Sequence, residues 1–361
     1  MKTDVLVVGG GLSGLALADQ LTREGVDHLV VEAQDWLGGR ILTRNLSGGA
    51  FDLGPAWFWP GQPRMAALAD RFGIPVFEQF ATGDLVYQDQ SGAVQRGRGF
   101  ASMQGSYRLE GGMGRLIEAL GGVLAPENVW TNTRLTALAP RERGHTASIL
   151  QHGLPRTIEA RDVVLALPPR VIAETVSFEP ALEEGLVADL RAIPTWMAGQ
   201  AKILAVYDEP HWRMAGMSGD AMSHHGPMVE IHDASPVKGG PYALFGFVGV
   251  PAQVRAAHEA QLMDLARSQL VDLFGPAMAE PLDLVLQDWA KVPEIARSQD
   301  MTPAGGHPDY GLPAGLQTLG TGGLHFASTE TAPTFGGFLE GALESAERTA
   351  RAIRQRVPEG A

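Results

Sequence analysis

The sequence predicts an α/β fold, α+β over its whole length, in which a parallel-sheet domain made from both chain ends is interleaved with a mixed-sheet domain. Three observations carry this expectation. Near the N-terminus, Val5–Val8 is a continuous apolar run, followed by Gly9-Gly-Gly-Leu-Ser-Gly14 and a second run, His28–Val31; that is the pattern of a buried parallel strand, a tight turn and the next strand. Near the C-terminus, Leu324–Ala327 reads as a strand and Gly337–Ile353 as a helix opened by glycines. Between them, Ala201–Tyr207 and Tyr242–Val248 read as strands and Gln253–Phe274 as one amphipathic helix.

The remaining elements follow in order. Leu12, Leu15, Ala16, Leu17 and Leu21 recur with helical spacing, and Gly25 stands where that helix should stop. Arg64–Phe72 reads as a short helix, and Leu85–Tyr87 with Ala93–Gln95 as a hairpin around Asp89-Gln-Ser-Gly92. Gly111–Leu120 reads as a glycine-opened helix, and Val163–Ala166 as a buried strand ended by Pro168-Pro169. Residues 180–193 read as a helix, with Leu182, Leu186, Leu190 and Ile193 in step. The expected division is a first domain from 1–60, 108–176 and 296–361, and a second from 61–107 and 177–295.

Composition narrows the function. The 361 residues are 45% hydrophobic and 19% charged, enough for a sizeable core and more than one usual domain. A net charge of −13 without a Lys/Arg run argues against a nucleic-acid partner. Cysteine is absent, which excludes disulfides, thiolate metal sites and attachment of a cofactor through sulfur, and fits the cytoplasmic location expected. No run of 18 apolar residues is present, so no membrane span is expected.

Gly9-x-Gly11-x-x-Gly14 alone is weak evidence: with 45 glycines in 361 residues, roughly 0.7 chance matches to that pattern are expected. Context strengthens it. The strand before it, the helix after it and Glu32 at the end of the next strand make a Rossmann-type dinucleotide site, with the pyrophosphate on the helix N-terminus and the acid on the adenosine ribose. Arg40, after Gly38-Gly39, is placed to contact pyrophosphate, and a surface arginine is the competing reading. A nicotinamide protein needs only this N-terminal block. The second glycine block at Gly336-Gly337 opens a helix whose N-terminus could stabilise negative charge on a reduced flavin, so the pairing points to a flavin.

The stretches VVGGGLSGL, VVEAQDWLGGR, FDLGPAW, YRLEGGMGRL, DVVLALPPRVI, GQAKILAVYDEPHW and HFASTETAPTFGGFLEGALESAERTA together resemble the flavin-containing amine oxidase (monoamine oxidase) family, nearly end to end. The resemblance implies non-covalent FAD, with Gly9, Gly11, Leu12, Ser13, Gly14, Glu32, Ala33, Gly39 and Arg40 on its ADP half. It places Leu135 at the adenine through its backbone, and Glu330, Gly337, Phe338 and Leu339 on the ribityl and isoalloxazine side. Lys202 shares a strand face with Leu204 and Val206; a lysine snorkelling to water is one reading, and the family's active-site lysine, held near the flavin and assisting reoxidation by dioxygen, is the other.

Two departures bear on substrate. The family's two-tyrosine cage falls here on Phe338 and near Gln299, and only about fifty residues separate Trp57 from Tyr107, where larger relatives carry a helical subdomain over the cavity. A homodimer partner or a bulky substrate is a candidate for closing the cleft. His224, His225 and His232 lack metal-ligand spacing and read as surface-loop residues, so no metal is expected. Asp300, His307 and Tyr310 lie in a loop that could edge the site and receive no role.

The expected activity is oxidation of a small amine by FAD and dioxygen, with Lys202 and Phe338 in the catalytic centre. The alternatives are a flavin desaturase or carbon–carbon oxidase of the phytoene desaturase or protoporphyrinogen oxidase type, and an FAD-binding module without turnover. A nicotinamide dehydrogenase ranks last because it leaves the C-terminal block unexplained.

Overall fold

The computed structural model describes residues 1–302 and 306–356. Residues 303–305 and 357–361, part of the last segment of the expected first domain, lie outside the described residues.

Lys2–Val8 is the centre of an eight-stranded sheet, and its apolar run is buried on both faces. It pairs in parallel with His28–Val31 on one side and with Leu154–Leu165 on the other. The 12-residue strand Leu154–Leu165 serves two layers. Residues 154–160 run antiparallel to His145–Gln151, itself paired with Thr133–Pro140. Val163–Leu165 instead pairs in parallel with Leu324–Phe326, which brings the C-terminal block beside the N-terminal one. Helices Leu12–Arg23, Gly114–Gly122 and Leu339–Arg356 cover one face through Leu15, Leu116 and Leu343. The antiparallel meander and Pro169–Thr175 cover the other through Leu135, Ile149 and Ile172.

A seven-stranded mixed sheet runs in the order Asp283–Asp288, Ala201–Tyr207, Tyr242–Val248, Met228–Asp233, Met217–Ser223, Asp84–Gln88 and Val94–Arg96. All pairs are antiparallel except Met217–Ser223 with Asp84–Gln88. Period-2 alternation along Ala201–Tyr207 sends Ile203 and Ala205 towards the Glu259–Phe274 helix. Leu204 and Val206 pack on the opposite face with Phe51, Leu53 and Trp57.

Four expected elements differ, one of them the helix expected over Gly111–Leu120, which spans Gly114–Gly122 because Gly111 and Gly112 hold φ of 80° and 84°. The 253–274 segment is two helices, Ala252–Ala257 and Glu259–Phe274, broken at His258 (φ −133°, ψ 31°). The first is held separately because Arg255 is drawn inward to Asp288 (2.7 and 2.9 Å) and to the carbonyls of Val250 and Gly199. The helix expected at 180–193 spans Glu184–Ala192, and Leu182 reaches the core from outside it. The last helix begins at Leu339 rather than Gly337, whose φ of 83° is not helical. The meander strand pair Thr133–Pro140 and His145–Gln151 was not anticipated, nor were Met217–Ser223, Met228–Asp233 and Asp283–Asp288.

A candidate flavin and amine cleft

Between the two sheets runs a cleft of about 430 Å³. One end is made by the Gly9–Ser13 turn, Glu32, Ala33, Gly39 and Leu135, the other by Lys202, Trp57, Trp59, Phe247, Gly337, Phe338 and Leu339. Both chain ends therefore line one continuous surface, as the paired glycine blocks imply.

The glycine turn is shaped by two different constraints. Gly9 adopts φ 109°, and a Cβ there would stand 2.7 Å from the Ala166 carbonyl oxygen. A Cβ on Gly14 would stand 2.0 Å from the Gly9 carbonyl oxygen, so Gly14 lets the helix pack against the strand and does not itself line the cleft. Gly11 has ordinary backbone angles, and its Cβ would meet nothing nearer than 3.8 Å. The protein does not need glycine there; what the missing side chain leaves open is cleft. No side chain caps the helix that follows, so its first N–H groups face this space with the positive end of the helix dipole. This is a cradle for an anionic group such as a pyrophosphate.

Glu32 is buried and accepts the backbone N–H of Gly10 (2.7 Å) and of Gln34 (2.9 Å). Burial raises its pKa above the usual carboxylate value, and the backbone N–H groups oppose that rise. Gly38 donates its N–H to the Gly10 carbonyl (2.9 Å), which docks the Gly38-Gly39-Arg40 loop on the glycine turn. Leu135 lies where the strand register shifts before Ala137. Ser13 lines the cleft, but its hydroxyl donates to the Ala327 carbonyl and so ties the two chain ends together.

Arg40 lines the cleft and makes a bidentate pair with Glu330 (2.6 and 3.1 Å). Glu330 is fully buried behind the wall, where it also accepts the Trp196 N–H (3.3 Å). Its two oxygens are engaged by protein groups, so it acts on the cleft through Arg40.

Lys202 does not snorkel. It is 5% exposed on an internal strand, and its Nζ donates to the Gly54 carbonyl (2.5 Å). The ring centroids of Phe245, Phe247 and Trp57 stand 4.1, 5.3 and 5.6 Å from Nζ. Burial among these rings pushes its pKa down to about 7, with Asp52 opposing the shift and Arg108 adding to it. Both groups are buried in the adjoining wall: Asp52 accepts the Thr43 hydroxyl (2.5 Å), and Arg108 donates to the Ala234 and Ser235 carbonyls (2.8 Å each). Neither is singled out by the sequence, because Asp52 and Arg108 lie in short segments without the apolar alternation that marks Lys202.

Phe338 stacks on His307 (4.9 Å, 16°) and meets Trp59 edge-on at 6.0 Å. Trp196 also lies against His307 (4.6 Å, tilted by 58°). His307 thus backs Phe338, while the Tyr310 hydroxyl donates to the Pro194 carbonyl (3.0 Å). Asp300 is buried and paired with Arg170 (2.5 Å), and Gln299 is exposed and outside the cleft wall. One aromatic face is present at Phe338, without a tyrosine sandwich.

The histidine reading needs a correction. His224 and His225 are exposed, but His232 is buried in a strand because two carboxylates satisfy its ring. Among the described residues no group of three or more His, Asp or Glu could hold a metal ion, and no helix is long and apolar enough to cross a membrane.

Comparison with known proteins agrees with this geometry. The family model described as flavin containing amine oxidoreductase matches residues 12–99 and 80–354. A Mycobacterium tuberculosis protein assigned as a flavin-containing monoamine oxidase is 26% identical, over 97% of this chain and 96% of its own. Putrescine oxidase of Kocuria rosea is 22% identical over 98% of this chain and 95% of its own. The first alignment runs over 452 positions against 361 residues here, so that relative carries segments this chain lacks. Among solved structures, putrescine oxidase bound to putrescine superposes with a TM-score of 0.79 at 21% identity, covering 99% of this chain and 100% of that one. Cyclohexylamine oxidase from Brevibacterium oxydans superposes with a TM-score of 0.80 at 19% identity, covering 98% and 99%. The chain belongs to the flavin containing amine oxidoreductase family, enzymes that use a flavin to oxidise small amines.

Proposed function

We propose that this chain binds FAD non-covalently and oxidises an amine with an apolar body and a single amino group, using dioxygen as acceptor. The observation that carries the reading is the single cleft, with an anion cradle at one end and Lys202 inside an aromatic wall at the other. The sheet of Lys2–Val8 belongs to an FAD domain (1–60, 108–176 and 296–361), and the sheet of Ala201–Tyr207 to a substrate domain (61–107 and 177–295).

Glu32 holds the adenosine ribose, the Gly9–Gly14 turn with Leu12 and Ser13 holds the pyrophosphate, and Leu135 contacts the adenine through its backbone. Arg40, oriented by Glu330, neutralises phosphate charge. Gly337, Phe338 and the helix start at Leu339 border the isoalloxazine. The absence of cysteine makes sulfur attachment impossible. When bound, the flavin supplies the redox chemistry, taking a hydride from the carbon bearing the nitrogen and leaving an imine for water to hydrolyse, with peroxide formed from dioxygen.

The protein supplies orientation and polarity. Phe338 and Trp59 hold the apolar body of the amine, and the surrounding rings exclude water, which favours the neutral amine that can give up hydride. Lys202, donated to Gly54 and poised near neutrality, places positive charge where negative charge develops on dioxygen.

The single-amine reading follows from charge. Among the described cleft residues the acids are Glu32 and Glu294, the latter paired with Arg134, and neither lies at the Lys202 end. A second ammonium there would meet Lys202 and no counter-ion, at a cost of several kcal/mol. Anaerobic bleaching of the flavin band near ~450 nm by a panel of amines tests the whole reading. A phenylalkylamine should exceed an α,ω-diamine of equal length by at least about 10²-fold in kcat/KM. Equal turnover of the two would sink the substrate assignment, and no bleaching by any amine would sink the activity.

A further inference from the structure

A buried ion cluster beneath the cleft wall takes no part in the sites above. His232, on the Met228–Asp233 strand, is 1% exposed, and both ring nitrogens meet carboxylates: Nδ1 lies 2.8 Å from Asp220 and Nε2 3.0 Å from Glu230. An imidazole with an acceptor at each nitrogen is satisfied only when both carry protons, so the cluster is carboxylate–imidazolium–carboxylate. The aromatic neighbours of the ring carry no titrating group: Trp57 stands edge-on at 5.1 Å and Phe245 at 5.6 Å. Lys202 also contacts the rings of Trp57 and Phe245.

Glu230 accepts a second hydrogen bond, from the Ser102 hydroxyl. Residues 99–105 form no helix or strand. Among the described residues, the Ser102–Glu230 contact is their one side-chain hydrogen bond to the seven-stranded sheet, and their other bonds stay within 100–106. Met103, the next residue, lines the cleft and packs on the cluster that holds Trp57, Trp59 and Phe247. Beside that apolar packing, the segment at the amine end is tied to the sheet through one serine hydroxyl.

We propose that the Asp220–His232–Glu230 cluster is a positioning device that, through Ser102, holds Met103 over the amine end of the cleft and so limits the size of amine admitted. The size-selection half rests on the amine-oxidation reading; the tether does not. A hydrogen bond to a carboxylate fixed by an imidazolium is stronger than one between neutral groups. The two carboxylates hold the imidazole proton more firmly than in a free histidine, against the effect of burial. When pH rises past that raised value, one N–H must serve two carboxylates. Glu230, with a 25% exposed side chain against 5% for Asp220, is the one released to water, and the tether loosens.

The test uses the holoenzyme and Ser102→Ala, Ser102→Thr and Glu230→Gln. Hydrogen exchange over residues 99–105 and chymotryptic cleavage at Phe100, which is 71% exposed, read the tether without turnover. S102A should raise exchange there roughly tenfold while leaving the 228–233 strand protected. It should also lower KM for a bulky amine relative to a small one with kcat for the small amine unchanged, and S102T should restore both. Wild type should loosen as pH rises through the imidazolium range, whereas E230Q and S102A should show no such step. Unchanged exchange in S102A overturns the tether, and loosened exchange with unchanged size preference overturns its role in selection. If no amine reduces the wild-type flavin, the functional reading fails while the exchange result still decides the tether.

Discussion

Replacing Lys202 with methionine separates the electrostatic cost of this residue from its use. The ammonium is 5% exposed and has no carboxylate within salt-bridge distance among the described residues; its pKa falls from 10.5 to about 7. At 1.36 kcal/mol per unit, that fall corresponds to about 5 kcal/mol by which the fold disfavours the charged form. The sign follows from linkage: between pH 7 and 10.5 the unfolded chain binds the proton and the folded chain does not, so stability rises with pH across that window. Below pH 7 the full penalty is present. Lys202→Met should therefore make the cofactor-free protein more stable than wild type at pH 6, by up to about 5 kcal/mol in urea unfolding, with the difference shrinking towards pH 10.5. Cofactor-free protein is the right material because bound FAD adds its own stabilisation. In the holoenzyme the same change should slow the reaction of reduced enzyme with dioxygen by roughly 10²-fold, read by stopped-flow. The wild-type rate should decline as pH rises through the lysine's titration, and the variant's should be slow and flat. An oxygen reaction unchanged in rate and pH profile would refute the role, and a variant no more stable at pH 6 would refute the burial argument.

Other outcomes follow from the cradle. Gly14→Ala should cost a few kcal/mol of stability and abolish FAD binding, because its Cβ would meet backbone at 2.0 Å. Gly11→Ala should leave unfolding midpoints unchanged yet weaken FAD binding in fluorescence titration, because its Cβ would enter the cleft instead; equal stability losses in the two variants would contradict this division. Burial raises the Glu32 pKa in the cofactor-free protein, so FAD affinity should begin to weaken on acidification above the ordinary glutamate range. Glu32→Gln should bind FAD at least ~10-fold more weakly at neutral pH and lose that acid step.

Much of the parallel-sheet half is legible in sequence because its signals are local. A strand buried on both faces must be an apolar run, as Val5–Val8 is, and a turn that admits helix packing and a phosphate must be glycine at particular positions. Alternation alone puts Lys202 on the face of Leu204 and Val206, and the structure keeps it there. The meander is not legible because Thr133–Pro140 is exposed in part and carries polar residues that blur the period. The sequence shows one helix over 253–274 because its apolar spacing continues through His258, while the break comes from Arg255 binding Asp288, 33 residues away.

The amino-acid order by itself determined the cofactor class, the pairing of the two ends and the one lysine set into an apolar strand, since each depends on residues close in the chain. Tertiary structure decided which of these groups reach the cleft and in what state. It placed Glu330 behind Arg40, brought Asp52 and Arg108 into the field of Lys202, and turned His232 from a loop residue into a buried ring held between Asp220 and Glu230. Protonation and orientation of a buried group are set by what surrounds it in space, and that surrounding is drawn from segments the chain order leaves far apart.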